Sequence, residues 1–134
     1  MKVHHMLHKL KTQAALLLAC FALTASASRA AEFTILIYET SQDLALRTNK
    51  GEAGKKYWAS YTQFAGVLAQ AGAMRDGAAL DVPASKGLQL SGYFKIEAAS
   101  LAEAKKLAAQ APTVSRGGSV EVRATVANPE MPAK

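Results

Sequence analysis

The side chains with the most versatile chemistry are three histidines and one cysteine, and all four fall within the first twenty residues. His4, His5 and His8 share a basic stretch with Lys2, Lys9 and Lys11, and Cys20 lies in the apolar run Ala14 to Ala25. Small residues follow in TASASRAA. A positive start, a short apolar core and a small-residue site are the three parts of a secretory signal. A membrane-spanning helix wants about 20 apolar residues, more than this run supplies. Leu17-Leu18-Ala19-Cys20 resembles a lipoprotein signal, but the apolar run continues through Phe21, Ala22 and Leu23. Residues 1–30 are therefore expected to be a signal peptide cut after Ala30. The expected destination is the bacterial periplasm or the medium, with no membrane attachment after cleavage.

Cleavage would leave a chain with neither imidazole nor thiol. Transition-metal sites and histidine-ligated haem lose their usual ligands. Thiol nucleophiles and Ser-His-Asp triads lose their reacting groups. No phosphate-cradling glycine loop occurs in the chain. No metal and no cofactor are expected. The net charge of +6 has the same origin, because Lys2, Lys9, Lys11 and Arg29 lie in the leader. Removing those four of the 16 basic residues leaves 12 against 10 acidic. That near balance, without clustered Lys/Arg among aromatics, is no footprint for nucleic acid.

What remains chemically is a set of carboxylates, tyrosines and a few cations, and the elements must position them. Phe33 to Glu39 (FTILIYE) predicts a strand with Phe33, Ile35 and Ile37 on one face and Leu36 and Tyr38 on the other. Thr40 to Lys56 reads as a polar, glycine-containing connection. Lys56 to Ala71 predicts a helix whose apolar stripe is Tyr57, Tyr61, Phe64, Ala65 and Leu68. Gly72 reads as its stop. A weak second strand is expected near Gly77 to Val82, ended by Pro83.

Leu88 to Ala98 predicts the third strand, with Leu90, Phe94 and Ile96 alternating with Ser91, Tyr93, Lys95 and Glu97. Ser100 and Glu103 form a capping box for a second helix. Its stripe is Leu101, Ala104, Leu107, Ala108 and Ala111, and Pro112 closes it. Gly118 to Val126 predicts the last strand, with Val120, Val122, Ala124 and Val126 on one face. The tail, 127–134, carries two prolines and no apolar period and is expected to be disordered. The pattern β-α-β-β-α-β predicts an α+β, ferredoxin-like domain over residues 31–126. Its antiparallel sheet would have strand order 4-1-3-2 and both helices on one face.

Alternation then turns Tyr93, Lys95, Glu97, Glu121 and Arg123 away from the helices, beside Leu36 and Tyr38. A half-apolar open face with convergent polar groups is usually covered, and a second copy of the chain is the expected cover. Any ligand site is expected between the sheet and that partner, bounded by Tyr38, Tyr93, Lys95 and Arg123. Trp58 or the Thr40 to Lys56 connection would form the rim. Arg123 could hold a small anionic ligand through its planar fork. Glu97 and Glu121 could serve as an acid/base pair, against the plainer reading of cross-strand ion pairing with Lys95 and Arg123. Tyr57, Trp58, Tyr61 and Phe64 read first as helix packing, with Trp58 off the stripe. No catalytic residue is assigned.

The chain also resembles the YCII-related (DGPF-type) domains of the dimeric α/β-barrel superfamily. The resemblance rests on ILIYE, on Tyr57 to Gly72 (YWASYTQFAGVLAQAG), on Ser91 to Pro112 (SGYFKIEAASLAEAKKLAAQAP) and on Gly117 to Arg123 (GGSVEVR). It implies a ferredoxin-like protomer whose sheets pair face to face in a homodimer. The DGPF segment itself is missing, with Asp81 to Leu90 in its place. The His/Asp pairing of some members has no counterpart in a mature chain without histidine. Two function classes follow. The preferred one is a periplasmic, homodimeric module that binds a small molecule or a partner. The other is a cofactor-independent enzyme, resembling the small monooxygenases or isomerases of the superfamily, working through pocket shape, tyrosine hydroxyls and an Arg/Lys clamp.

Overall fold

A computed structural model describes residues 30–132. The signal-peptide expectation falls on residues 1–29, outside the described residues. The chain forms an α+β fold: β1 (Ala31–Glu39), α1 (Ser41–Ala45), α2 (Glu52–Gln70), β2 (Met74–Ala79), β3 (Gln89–Ala98), α3 (Leu101–Ala108) and β4 (Ser119–Ala124). Two 3-10 turns, Leu46–Thr48 and Pro112–Arg116, complete it. All strand pairs are antiparallel in the order β2-β3-β1-β4. That is the order read from the sequence, and it is compatible with a ferredoxin-like arrangement.

The core lies on one side of this sheet. Phe33, Ile35 and Ile37 of β1 and Ile96 and Ala98 of β3 are buried against Phe64 and Leu68 of α2 and Ala104 and Ala108 of α3. Period-two alternation in the strands and the i, i+4, i+7 stripe in α2 meet there. Ser100 caps α3, its hydroxyl accepting the Glu103 N–H at 3.2 Å. The helix ends at Ala108, and Pro112 opens a 3-10 turn instead of closing the helix. Ala111 is buried as the stripe implies, while Leu101 is exposed.

Four further expectations are corrected. The connection Thr40 to Lys56 is largely ordered backbone: Thr40 caps α1 by accepting the Asp43 N–H at 3.1 Å, and α2 starts at Glu52, four residues before Lys56. Gly54 permits this, since a Cβ there would strike the Asn49 carbonyl of the connection. Strand β2 covers Met74–Ala79, not Gly77 to Val82, because the Gly72 turn (φ 69°) leads straight into pairing with β3. Strand β4 stops at Ala124, and Val126 is 89% exposed rather than part of an inward face. Residues 125–132 add no helix or strand.

The fourth correction concerns β3. Its pairing with β1 slips by one residue: Ile37 faces Gly92, but Tyr38 faces Leu90. Ser91 is the extra residue of a β-bulge, and beyond a bulge the side-chain parity reverses. Ser91 therefore points to the helix side and is fully buried, while Leu90 turns outward and is 40% exposed. Simple alternation had placed them the other way round.

Candidate functional site

The reversal gathers a polar cluster at the end of β1. Glu39 continues the inward face of Phe33, Ile35 and Ile37, and it is 1% exposed. Its Oε1 accepts three hydrogen bonds: from Ser91 Oγ at 2.6 Å, Tyr57 OH at 2.9 Å and Arg47 Nη2 at 3.1 Å. Arg47 comes from the 3-10 turn after α1. Its Nε donates to Tyr57 OH at 2.9 Å, its Nη1 to the Leu80 carbonyl at 2.7 Å and its Nη2 also to the Ser91 carbonyl at 2.7 Å. One guanidinium thus ties the crossover connection to α2, to β3 and to the end of β2. A buried ion pair survives only with such extra hydrogen bonds, because removing both charges from water is expensive.

Two atoms of the cluster remain without a partner. Glu39 Oε2 and the Tyr61 hydroxyl are both buried and make no hydrogen bond. A buried polar atom left so costs about 1–3 kcal/mol. Burial first, and then the neighbouring Glu39 charge, push the Tyr61 hydroxyl far above its ordinary range. The Tyr57 hydroxyl is pushed up to about 12, again chiefly by burial, with the Arg47 hydrogen bond opposing. Both tyrosines are therefore neutral at any physiological pH.

Glu39, Arg47, Tyr57, Tyr61 and Ser91 line one wall of a cavity of about 290 Å³ between α2 and strands β2 and β3. Its other walls are apolar and include Met74, Phe94, Ala65 and Trp58. The space exists because the facing strand residues are small: Gly77, Ala78 and Ala79 of β2 and Gly92 of β3. Gly92 has no freedom to be larger, since a Cβ there would lie 2.9 Å from the Ala78 carbonyl oxygen. A mostly apolar concavity of nearly 300 Å³ with a few convergent polar groups has the character of a small-molecule site.

Beside it, Asp43 and Arg116 approach at 4.0 Å. Burial raises the Asp43 pKa, Arg116 lowers it, and Glu39 raises it further.

The sequence-predicted site residues are distributed differently. Trp58 borders the cavity, its ring edge-on to Tyr57 at 5.1 Å and its Nε1 donating to the Arg47 carbonyl at 3.3 Å. Tyr93 borders the same cavity, and its hydroxyl donates to Asp76 at 3.2 Å, a bond that raises its pKa. Tyr38, Lys95 and Arg123 stand apart. Tyr38 donates to Glu121 Oε2 at 3.3 Å, and Arg123 pairs with Glu121 Oε1 at 2.6 Å. Lys95 lies 3.6 Å from Glu32. Glu97 pairs with Arg75 at 2.8 Å, and that hydrogen bond lowers its pKa. Glu97 and Glu121 are thus each held by an arginine, on strands that are not neighbours in the sheet. The structure does not bring Trp58 together with Tyr38, Lys95 and Arg123.

Glu39, Arg47 and Ser91 carry the cluster and were not singled out from the sequence. One signal did point to Glu39: it falls at the next inward position after Phe33, Ile35 and Ile37. Among the described residues no group of three or more His, Cys, Asp or Glu side chains could hold a metal ion, and no helix is long and apolar enough to cross a membrane. Comparison with protein-family models and with curated proteins found no match.

Proposed function

We propose that the protein is an exported, homodimeric module that binds a small molecule in the cavity between α2 and strands β2 and β3. The observation that carries the reading is the buried Glu39 carboxylate, with one oxygen fully hydrogen-bonded and the other unpartnered, beside a largely apolar cavity. Structural ion pairs need no adjoining space; a ligand site does. The resemblance to YCII-related, ferredoxin-like domains is consistent with this reading, although the cavity lies between the sheet and α2 and not between the sheet and a partner, where the sequence led a ligand site to be expected.

The homodimer would form through the other face of the sheet. Leu36 lies opposite Tyr93, and Tyr38 opposite Leu90. These four make a contiguous apolar centre, edged by the Lys95–Glu32 and Arg123–Glu121 pairs. The mixed charges at the rim suit a self-complementary interface, where each copy meets the same surface.

A cofactor-independent enzyme would use the same cavity. The binding reading is preferred because both tyrosine hydroxyls are held protonated and Glu39 Oε1 already accepts three bonds. Native mass spectrometry of the protein isolated from its bacterial host tests the whole reading. It should show twice the mature mass, a mature N-terminus between Ser28 and Glu32, and a retained small molecule. A monomer with an intact Met1 and no added mass would sink it.

A further inference from the structure

We infer that the cavity takes a neutral, flat and mostly apolar molecule whose polar edge donates one hydrogen bond to Glu39 Oε2 and accepts one from the Tyr61 hydroxyl, as a carboxamide on a ring does. This inference rests on the cavity being the binding site.

The charge balance excludes ions. Glu39 and Arg47 are the only acid and base among the lining residues, and they neutralise each other at 3.1 Å. Four Arg47 hydrogen bonds already hold its fork to Tyr57, Leu80, Glu39 and Ser91. An anion would meet a nearby carboxylate and a guanidinium with at most one N–H left of five. A cation would add an unbalanced charge to a buried, already neutral pair. Either would lose its hydration without a counter-charge.

The hydrogen-bonding inventory then sets the polar edge. As a carboxylate oxygen, Glu39 Oε2 can only accept, and the Tyr61 hydroxyl can donate. These are the two unpartnered buried atoms on this wall. They belong to side chains that line the same wall, and the Glu39 charge is the largest Coulombic influence on the Tyr61 hydroxyl. A ligand must therefore present a donor and an acceptor side by side. A carboxamide edge does so; a carboxylate has no donor, and an ammonium has no acceptor. Both protein atoms are buried, so a ligand would reach them only with a shift of the Tyr61 side chain. The apolar walls from Met74, Phe94 and Ala65 receive the ring.

The test is a titration of the ¹⁵N-labelled protein at pH 7 with benzamide, benzoate and benzylamine, which share a ring and differ in polar edge. Benzamide is expected to bind at least about ten-fold tighter than the other two. Its shifts should centre on the amides of Tyr61, Gly77 and Gly92. Tyr61→Phe keeps the ring, and it should fold and weaken benzamide about five-fold or more. Glu39→Gln places a donor where the carboxylate oxygen stood and should weaken benzamide similarly. Equal or tighter binding of benzoate or benzylamine in this cavity would overturn the ligand class but leave the site standing. Unchanged benzamide affinity in folded Tyr61→Phe would overturn the polar-edge assignment. No shift in these amides with any probe at about 10 mM would overturn both the site and the inference.

Discussion

Ser91 Oγ lies 2.6 Å from Glu39 Oε1, and it does so only because β3 carries one residue more than β1 at that point. Without the bulge, Ser91 would face outward with Tyr93, and the carboxylate would lose its shortest hydrogen bond. Ser91→Ala keeps the small volume and deletes the donor. A hydrogen bond to a charged group contributes about 1.5–3 kcal/mol, and urea denaturation should show a loss in that range. A change below about 0.5 kcal/mol would mean that the bond contributes nothing measurable.

Arg47 should be the least replaceable side chain of the cluster. Truncating one member of a buried ion pair leaves the other charge uncompensated and costs about 3–5 kcal/mol. Glu39 is 1% exposed and Arg47 17%, so Arg47→Ala belongs near the lower end of that range. Arg47→Lys should rescue little, since an ammonium cannot reach Tyr57, two carbonyls and the carboxylate from one plane. Equilibrium unfolding of both variants checks this. A lysine variant as stable as the parent would show that charge alone, and not the fork, holds the connection in place.

The parts of the fold written in apolar periodicity were legible in the sequence. Strand order, the α2 stripe and the Ser100 cap follow from local rules that the core then reinforces. What escaped was set by single residues acting at a distance. The bulge at Ser91 has no composition signature, and it reverses which of Leu90 and Ser91 faces the helices. Arg47 sits in a polar stretch that looks like an ordinary connection, because its partners are at positions 39, 57, 80 and 91. Glu39 breaks the apolar rule at an inward position, and that exception was readable. The outward cations were read correctly as ion-paired, but the pairs differ: Arg123 pairs with Glu121 of its own strand, and Lys95 pairs across strands with Glu32 and not with Glu97.

Rising pH should destabilise the fold through the tyrosines of the site. The Tyr57 hydroxyl titrates near 10 in an unfolded chain and at about 12 here, and Tyr61 is shifted the same way. Folded pKa values above the unfolded ones give stability that is complete below pH 10 and is lost as pH rises through 12. In that window the unfolded state has released protons that the folded state still holds, so stability falls with rising pH. Urea midpoints measured from pH 9 to 12 should decline more steeply for the parent than for Tyr61→Phe or Tyr57→Phe. Parallel profiles would assign the alkaline loss to other groups.

The outward face makes the remaining prediction. Leu36 is central on it, flanked by Tyr93 on β3 and Glu121 on β4. Its backbone is fixed by pairing on both sides, so a long charged side chain there cannot be accommodated by moving the strand. Leu36→Lys would bury an unpaired ammonium in a face-to-face dimer, at a cost of several kcal/mol per copy. In a monomer the same lysine would stand in water beside Glu121 and cost little. Light scattering at micromolar concentration should therefore give twice the protomer mass for the parent and the protomer mass for Leu36→Lys. The variant's far-ultraviolet circular dichroism should be unchanged, because Leu36 lies on the opposite side of the sheet from the core. A parent that scatters as a monomer, or a Leu36→Lys variant that remains a dimer, would rule out this face as the interface. The cavity lies behind the sheet, on the helix side, so its ligand titration should give the same result with either protein.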